Sequence, residues 1–139
     1  MPGRLLKLEI TESAIMENAE TAAAMLARLR ALGIQVSVDD FGTGHSCLSL
    51  LHNFPIDTLK IDRSFVSRMG AGGEGGETVR TIIALAHSLR MDVIAEGVET
   101  VDQRDALQAL ECGYGQGYLF SKPLAEPQAR ELIAARRRW

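Results

Sequence analysis

Short β-like runs alternate with helix-like runs along the whole chain, and their spacing leaves few folds open. The strand-like runs are Leu5–Ile10, Gln35–Asp39, Thr58–Asp62, Asp92–Glu96 and Gly117–Phe120. Amphipathic stretches lie between and after them, at Asn18–Leu32, Ser46–Asn53, Glu77–Leu89, Val101–Glu111 and Pro127–Arg138. Each strand-plus-helix unit takes roughly 23–34 residues, the rhythm of βαβ units with parallel strands and right-handed crossovers. In the first helical stretch Ala22, Met25, Leu26, Leu29 and Leu32 recur every three or four residues and so share one face. Gly33 suits a stop after that helix, and Pro127 suits the first turn of the last one. The run Gly70–Gly76 (GAGGEGG) reads as a flexible loop inside one unit, because the alternation resumes after it.

With 139 residues the chain supports a single domain. Five units fit an open doubly wound sheet, whereas a complete (β/α)8 barrel takes ~250 residues. Fifteen Lys and Arg against eighteen Asp and Glu exclude a global basic field, so no nucleic-acid polymer is expected as partner. Arg136, Arg137 and Arg138 are better placed to complement the negative end of a last helix. No apolar stretch is long enough to span a bilayer and the first residues do not resemble a signal peptide, so a cytoplasmic protein is expected. Cys47 and Cys112 do not make a disulfide framework, and Cys112 is expected to be a small buried apolar side chain.

The polar residues choose among these folds. Strand interiors in parallel sheets are apolar, so charged groups at strand C-terminal ends are informative, and that edge is where α/β folds bind ligands. Glu9 closes the first strand, with Thr11 and Glu12 following; Asp39 and Asp40 close the second; Lys60 and Asp62 the third; Glu96 the fourth, with Glu99 beyond it. Gln116 stands at the fifth. One acidic residue at a strand end ordinarily caps a helix or solvates a loop, and Glu12 and Glu99 each suit that role. Five successive strand ends with polar groups are harder to explain so, because converging carboxylates repel unless a cation sits among them.

Glu9, Asp39, Asp40 and Glu96 are hard oxygen donors, which favours Mg²⁺, Mn²⁺ or Ca²⁺ over zinc. The adjacent pair Asp39–Asp40 suits two ions, one carboxylate bridging both and the other binding the second. Two ions ~3.5–4 Å apart suit in-line attack on a phosphodiester. Lys60 can orient the attacking water or offset phosphate charge. Phe41, Gly42, Thr43 and Gly44 form a tight loop just after the acidic pair, a candidate gate. His87 is expected at a core or boundary position, while His45 and His52 flank a short helix without ligand spacing.

The strings LKLEITES (Leu6–Ser13), VDDFGTG (Val38–Gly44), LKIDRSFV (Leu59–Val66), IAEGVET (Ile94–Thr100) and QGYLFSKP (Gln116–Pro123) together resemble EAL-domain proteins, bacterial phosphodiesterases that linearise cyclic di-GMP. The resemblance implies parallel β/α units of a TIM-like (β/α)8 barrel with about five of the eight strands in this chain. Residues 1–139 then form a partial EAL domain lacking the Glu-Ala-Leu strand that names the family and the Asn ligand of the next strand. It also implies a two-metal site with Mg²⁺ or Mn²⁺: Glu9 on one ion, Asp39 bridging, Asp40 and Glu96 on the second, with Glu96 also viewed as general base. Lys60 would contact the nucleophilic water, Asp62, Glu99 and Gln116 would complete the site, and Glu12 would brace the loop Asp40–Gly44, which couples to a dimer interface. The implied partners are cyclic di-GMP and either a second copy or the N-terminal part of the barrel. Two other readings remain: a catalytically inactive cyclic di-GMP-binding or protein-interaction module, and an unrelated five-stranded receiver domain. The receiver arrangement fits poorly, since its acid pair belongs on the first strand and its Lys on the last.

Overall fold

The computed structural model describes residues 2–42, 51–69 and 75–135. A 3₁₀ turn at Gly3–Leu5 leads into β1 (Lys7–Thr11), α1 (Glu12–Glu17), α2 (Ala19–Ala31) and β2 (Gln35–Phe41). Then come β3 (Thr58–Ile61), α3 (Arg63–Val66), α4 (Gly75–Ser88) and β4 (Asp92–Glu96). The chain continues through α5 (Val101–Ala109), β5 (Tyr114–Gln116) and α6 (Glu126–Ala134). The five strands form one sheet in the order β1-β2-β3-β4-β5, and every pair is parallel. Sequential order with all-parallel pairing is that of consecutive barrel units, and excludes the reversal of order that defines a doubly wound sheet.

The pleat sorts the side chains. Val36, Val38, Leu59, Ile61, Val93 and Ala95 are buried against Leu26 of α2, Val79, Ile83 and Ala86 of α4, and Leu107 of α5. On the opposite face, residues of the other parity are almost all polar. Burial explains the middle of the sheet: β3 is buried throughout, while the edge strands β1 and β5 are largely exposed. The helix starts follow local chemistry. Asn18 caps α2 by accepting from Thr21 N–H at 3.0 Å, and Thr100 and Gln103 form a reciprocal capping box on α5.

Four sequence expectations change. The fifth strand is Tyr114–Gln116, not Gly117–Phe120: Glu96 pairs with Gln116, after which the Phe120 and Ser121 amides turn back to the Gly117 carbonyl. The apolar run Tyr118–Phe120 resembles a strand, but it is a turn, and the true strand is disguised by Gly115 at its centre. His87 is exposed in the last turn of α4, and Cys112 is half-buried, its thiol pushed above its ordinary pKa by burial. The first strand begins at Lys7, and the short helices α1 and α3 follow β1 and β3 directly, capped by Thr11 and Asp62. Thr43, Gly44, His45, Cys47, most of the Ser46–Asn53 helix, most of the glycine run and Arg136–Arg138 lie outside the described residues.

One polar atom in the middle of the sheet is poorly served. Ser37 is fully buried and its hydroxyl has no hydrogen-bond partner among the described residues. Such a group costs about 1–3 kcal/mol. Ser37→Ala is therefore expected to stabilise the fold by about 1 kcal/mol, read as a higher urea midpoint with an unchanged slope. A lower midpoint would show that the hydroxyl is satisfied.

Candidate active site

The polar ends of four strands meet at one ammonium. Lys60 is 4% exposed, and its Nζ lies 2.9 Å from Glu9 Oε2, 3.1 Å from Asp39 Oδ1 and 2.6 Å from Glu96 Oε1. Register places these residues: Lys60 on β3 is paired with Ile94 on β4, so Glu96 stands two residues further along on the same face. Gln116, opposite Glu96 on β5, donates its Nε2–H to Glu96 Oε1 at 2.7 Å. That oxygen therefore accepts from both Lys60 and Gln116. Burial alone would lower the Lys60 pKa, but the bonds to Glu96, Glu9 and Asp39 outweigh it and hold the ammonium above the ordinary lysine value.

The acidic pair sits on an irregularity. Pairing between β2 and β3 shifts register between Val38 and Phe41, and Asp40 has φ 54°. This is a bulge with its extra residue in the left-handed region, where Asp is tolerated better than most side chains. The bulge breaks the alternation, so the two neighbouring carboxylates need not project to opposite faces. Asp39 Oδ1 also accepts from the Asp40 amide at 3.0 Å.

Beyond the bulge, Glu12 is 6% exposed and its Oε2 accepts from the Gly42 N–H at 2.9 Å. Gly42 has φ 90°, which suits glycine. Phe41 is the last residue of β2 and is buried in the core, so the turn begins at Gly42. Asp62 is brought to the rim but used differently. Its Oδ1 caps α3 by accepting from Ser64 N–H at 2.9 Å, and that bond holds its carboxyl below the ordinary value. Glu99 faces Arg63, with Oε1 2.7 Å from the guanidinium. The Arg63 stem lies across Gly97, where a Cβ would come within 2.2 Å of Arg63 Cγ. Sequence reasoning did not single out Arg63; the signal was a glycine two residues before Glu99.

The donor set is chemically suited to a hard divalent cation, since Glu9, Asp39 and Glu96 aim oxygens at one point and three carboxylates outnumber one ammonium there. As oriented, each turns toward Lys60. Among the described residues no group of three or more His, Cys, Asp or Glu side chains is arranged to hold a metal ion. Ligation would thus need these carboxylates to re-aim, with Asp40 beside them.

Comparison with known proteins identifies the family and the fold. The EAL domain family model matches residues 1–123. The cyclic di-GMP phosphodiesterase NbdA of Pseudomonas aeruginosa is 46% identical over 132 residues, which are 95% of this chain and 17% of NbdA. The crystal structure of the EAL domain of Mycobacterium smegmatis DcpA superposes with a TM-score of 0.91 at 43% identity, covering all of this chain and 62% of that one. Klebsiella pneumoniae BlrP1, in a manganese and cyclic di-GMP complex, superposes with a TM-score of 0.79 at 33% identity over 88% of this chain and 31% of its own. The five-stranded sheet thus matches part of the EAL barrel. No helix among the described residues is long and apolar enough to cross a membrane.

Proposed function

The chain belongs to the EAL domain family, and from that premise we propose that it is the C-terminal part, residues 1–139, of a cytoplasmic cyclic di-GMP phosphodiesterase. The observation that supports this reading most is the convergence of Glu9, Asp39 and Glu96 on Lys60 at the strand ends. Glu9, Asp39, Asp40 and Glu96 would hold two Mg²⁺ or Mn²⁺ ions. Bound there, such ions would supply charge neutralisation at the phosphate and would lower the pKa of a bound water.

The side chains do the rest. Lys60 donates a hydrogen bond to the attacking water. Glu96, oriented by Gln116, accepts its proton as general base. Glu12 holds the turn at Gly42, which keeps the bulge and its carboxylates in place. Asp62 and Glu99 act at the same rim, Asp62 by fixing the start of α3 and Glu99 through Arg63. A second copy or the N-terminal part of the barrel covers the exposed edges of β1 and β5.

Those exposed edges also favour a second reading, a catalytically inert module that binds cyclic di-GMP or a protein partner. Incubating the purified chain with cyclic di-GMP and Mn²⁺ or Mg²⁺ separates the two. Low turnover to the linear dinucleotide is expected of this chain alone, because the Glu-Ala-Leu strand and the following Asn ligand are not in it, and any turnover should fall at least about 100-fold in Asp39→Asn. Binding without turnover selects the second reading. Folded protein that neither binds nor cleaves the dinucleotide overturns the phosphodiesterase reading and the dinucleotide-binding form of the second, and leaves the protein-interaction module alone.

A further inference from the structure

A pocket of about 360 Å³ opens beside Glu96 and Gln116, and its other walls include Arg63, Glu99, Tyr118 and Lys122. Its charges differ from those around Lys60. There, three carboxylates face one ammonium. Here Glu96 is already met by Lys60 and Glu99 by Arg63. Lys122 has no acidic partner among the described residues, and its Nζ lies 5.7 Å from the centre of the Tyr118 ring. Lys122 therefore brings to the cleft a positive charge that no described carboxylate offsets.

The Arg63 side chain is held in place at two points. An exposed ion pair by itself is worth little, but the Arg63 stem is seated on Gly97, whose φ of 68° and close contact exclude a side chain. The bond to Glu99 engages one end of the guanidinium, which carries five N–H donors in a rigid fork suited to phosphate oxygens. Tyr118, 60% exposed, adds an aromatic face beside the pocket.

A cyclic dinucleotide carries two phosphodiesters. Only one is cleaved at a time, and the other brings a negative charge that the carboxylate end repels. We propose that Arg63 and Lys122 bind the phosphodiester that is not being cleaved, with the Tyr118 ring against the adjoining sugar or base. The assignment rests on the phosphodiesterase reading and adds to it a substrate subsite. It makes the site selective for two-phosphate substrates.

The test titrates cyclic di-GMP into the wild-type chain, Arg63→Gln, Lys122→Gln and the double variant, with Mn²⁺ affinity and thermal midpoint measured alongside. Each single change is expected to weaken binding about 10-fold and to make its salt dependence shallower, while Mn²⁺ affinity and the midpoint stay put. Hydrolysis of bis(p-nitrophenyl) phosphate, which has one phosphodiester, is expected to be unchanged in Lys122→Gln. Lys122 contacts no carboxylate, so its variant keeps the test sound if Arg63→Gln disturbs Glu99. Wild-type binding with unaltered affinity in both variants overturns this subsite alone. A wild-type chain that binds no cyclic di-GMP overturns the functional reading beneath it as well.

Discussion

Lys60→Met is expected to destabilise the chain by about 3–5 kcal/mol, because it leaves carboxylates facing one another without the cation that joins them. The methionine keeps most of the stem's volume, so packing contributes little. The loss is expected as a fall of roughly 10–20 °C in the thermal midpoint. Adding Glu96→Gln to Lys60→Met should recover part of it, since the neutral amide can still accept from Gln116. If the single variant does not fold, this double variant remains the test. A midpoint within about 2 °C of wild type in Lys60→Met would mean that water already screens the cluster.

The same cluster sets an alkaline dependence with a definite sign. The folded state holds the Lys60 proton more tightly than the unfolded chain, whose lysine titrates near 10.5. The stabilisation is therefore complete below that value. It declines only as pH rises from there through the higher folded value. Between neutral pH and about pH 9 the difference in midpoint between wild type and Lys60→Met should thus stay constant, apart from other titrating groups.

Gly117→Ala is the second large effect. A Cβ at Gly117 would stand 2.2 Å from the Val98 carbonyl oxygen and 2.3 Å from the Val98 nitrogen, and neither backbone atom can swing away. The approach is tight because Val98 N–H donates to the Gln116 carbonyl at 3.1 Å and Leu119 N–H donates to the Val98 carbonyl at 3.0 Å. A cost of about 3 kcal/mol is expected, with the bond between Gln116 and Glu96 weakened as β5 moves. Gly76→Ala makes the control. It lies in the first turn of α4 with open space around it, so its stability should hold or rise by less than about 1 kcal/mol. Equal midpoints for the two variants in urea unfolding would show that the chain at Gly117 simply shifts aside.

The alternation of apolar runs was enough to expect parallel β/α units, and the charged strand ends were enough to expect that Glu9, Asp39, Lys60, Glu96 and Gln116 share a rim. Both follow from periods that the chain cannot hide: a strand shows every second residue to one face, and parallel strands bring their C-terminal ends to one edge. The fifth strand was misplaced because pairing, not composition, makes a strand of Tyr114–Gln116. A Gly-centred triplet becomes one only because β4 offers it a ladder.

By itself, then, the sequence determined the fold class and which polar residues gather at the strand ends. The tertiary structure decided how those residues divide their work. Lys60 became the centre, Asp62 a helix cap and Glu99 the partner of Arg63, while Asp40 became the bulge residue. The physical reason is that a carboxylate's use depends on which donor lies within ~3 Å of it, and those donors come from strands and turns far apart in the chain.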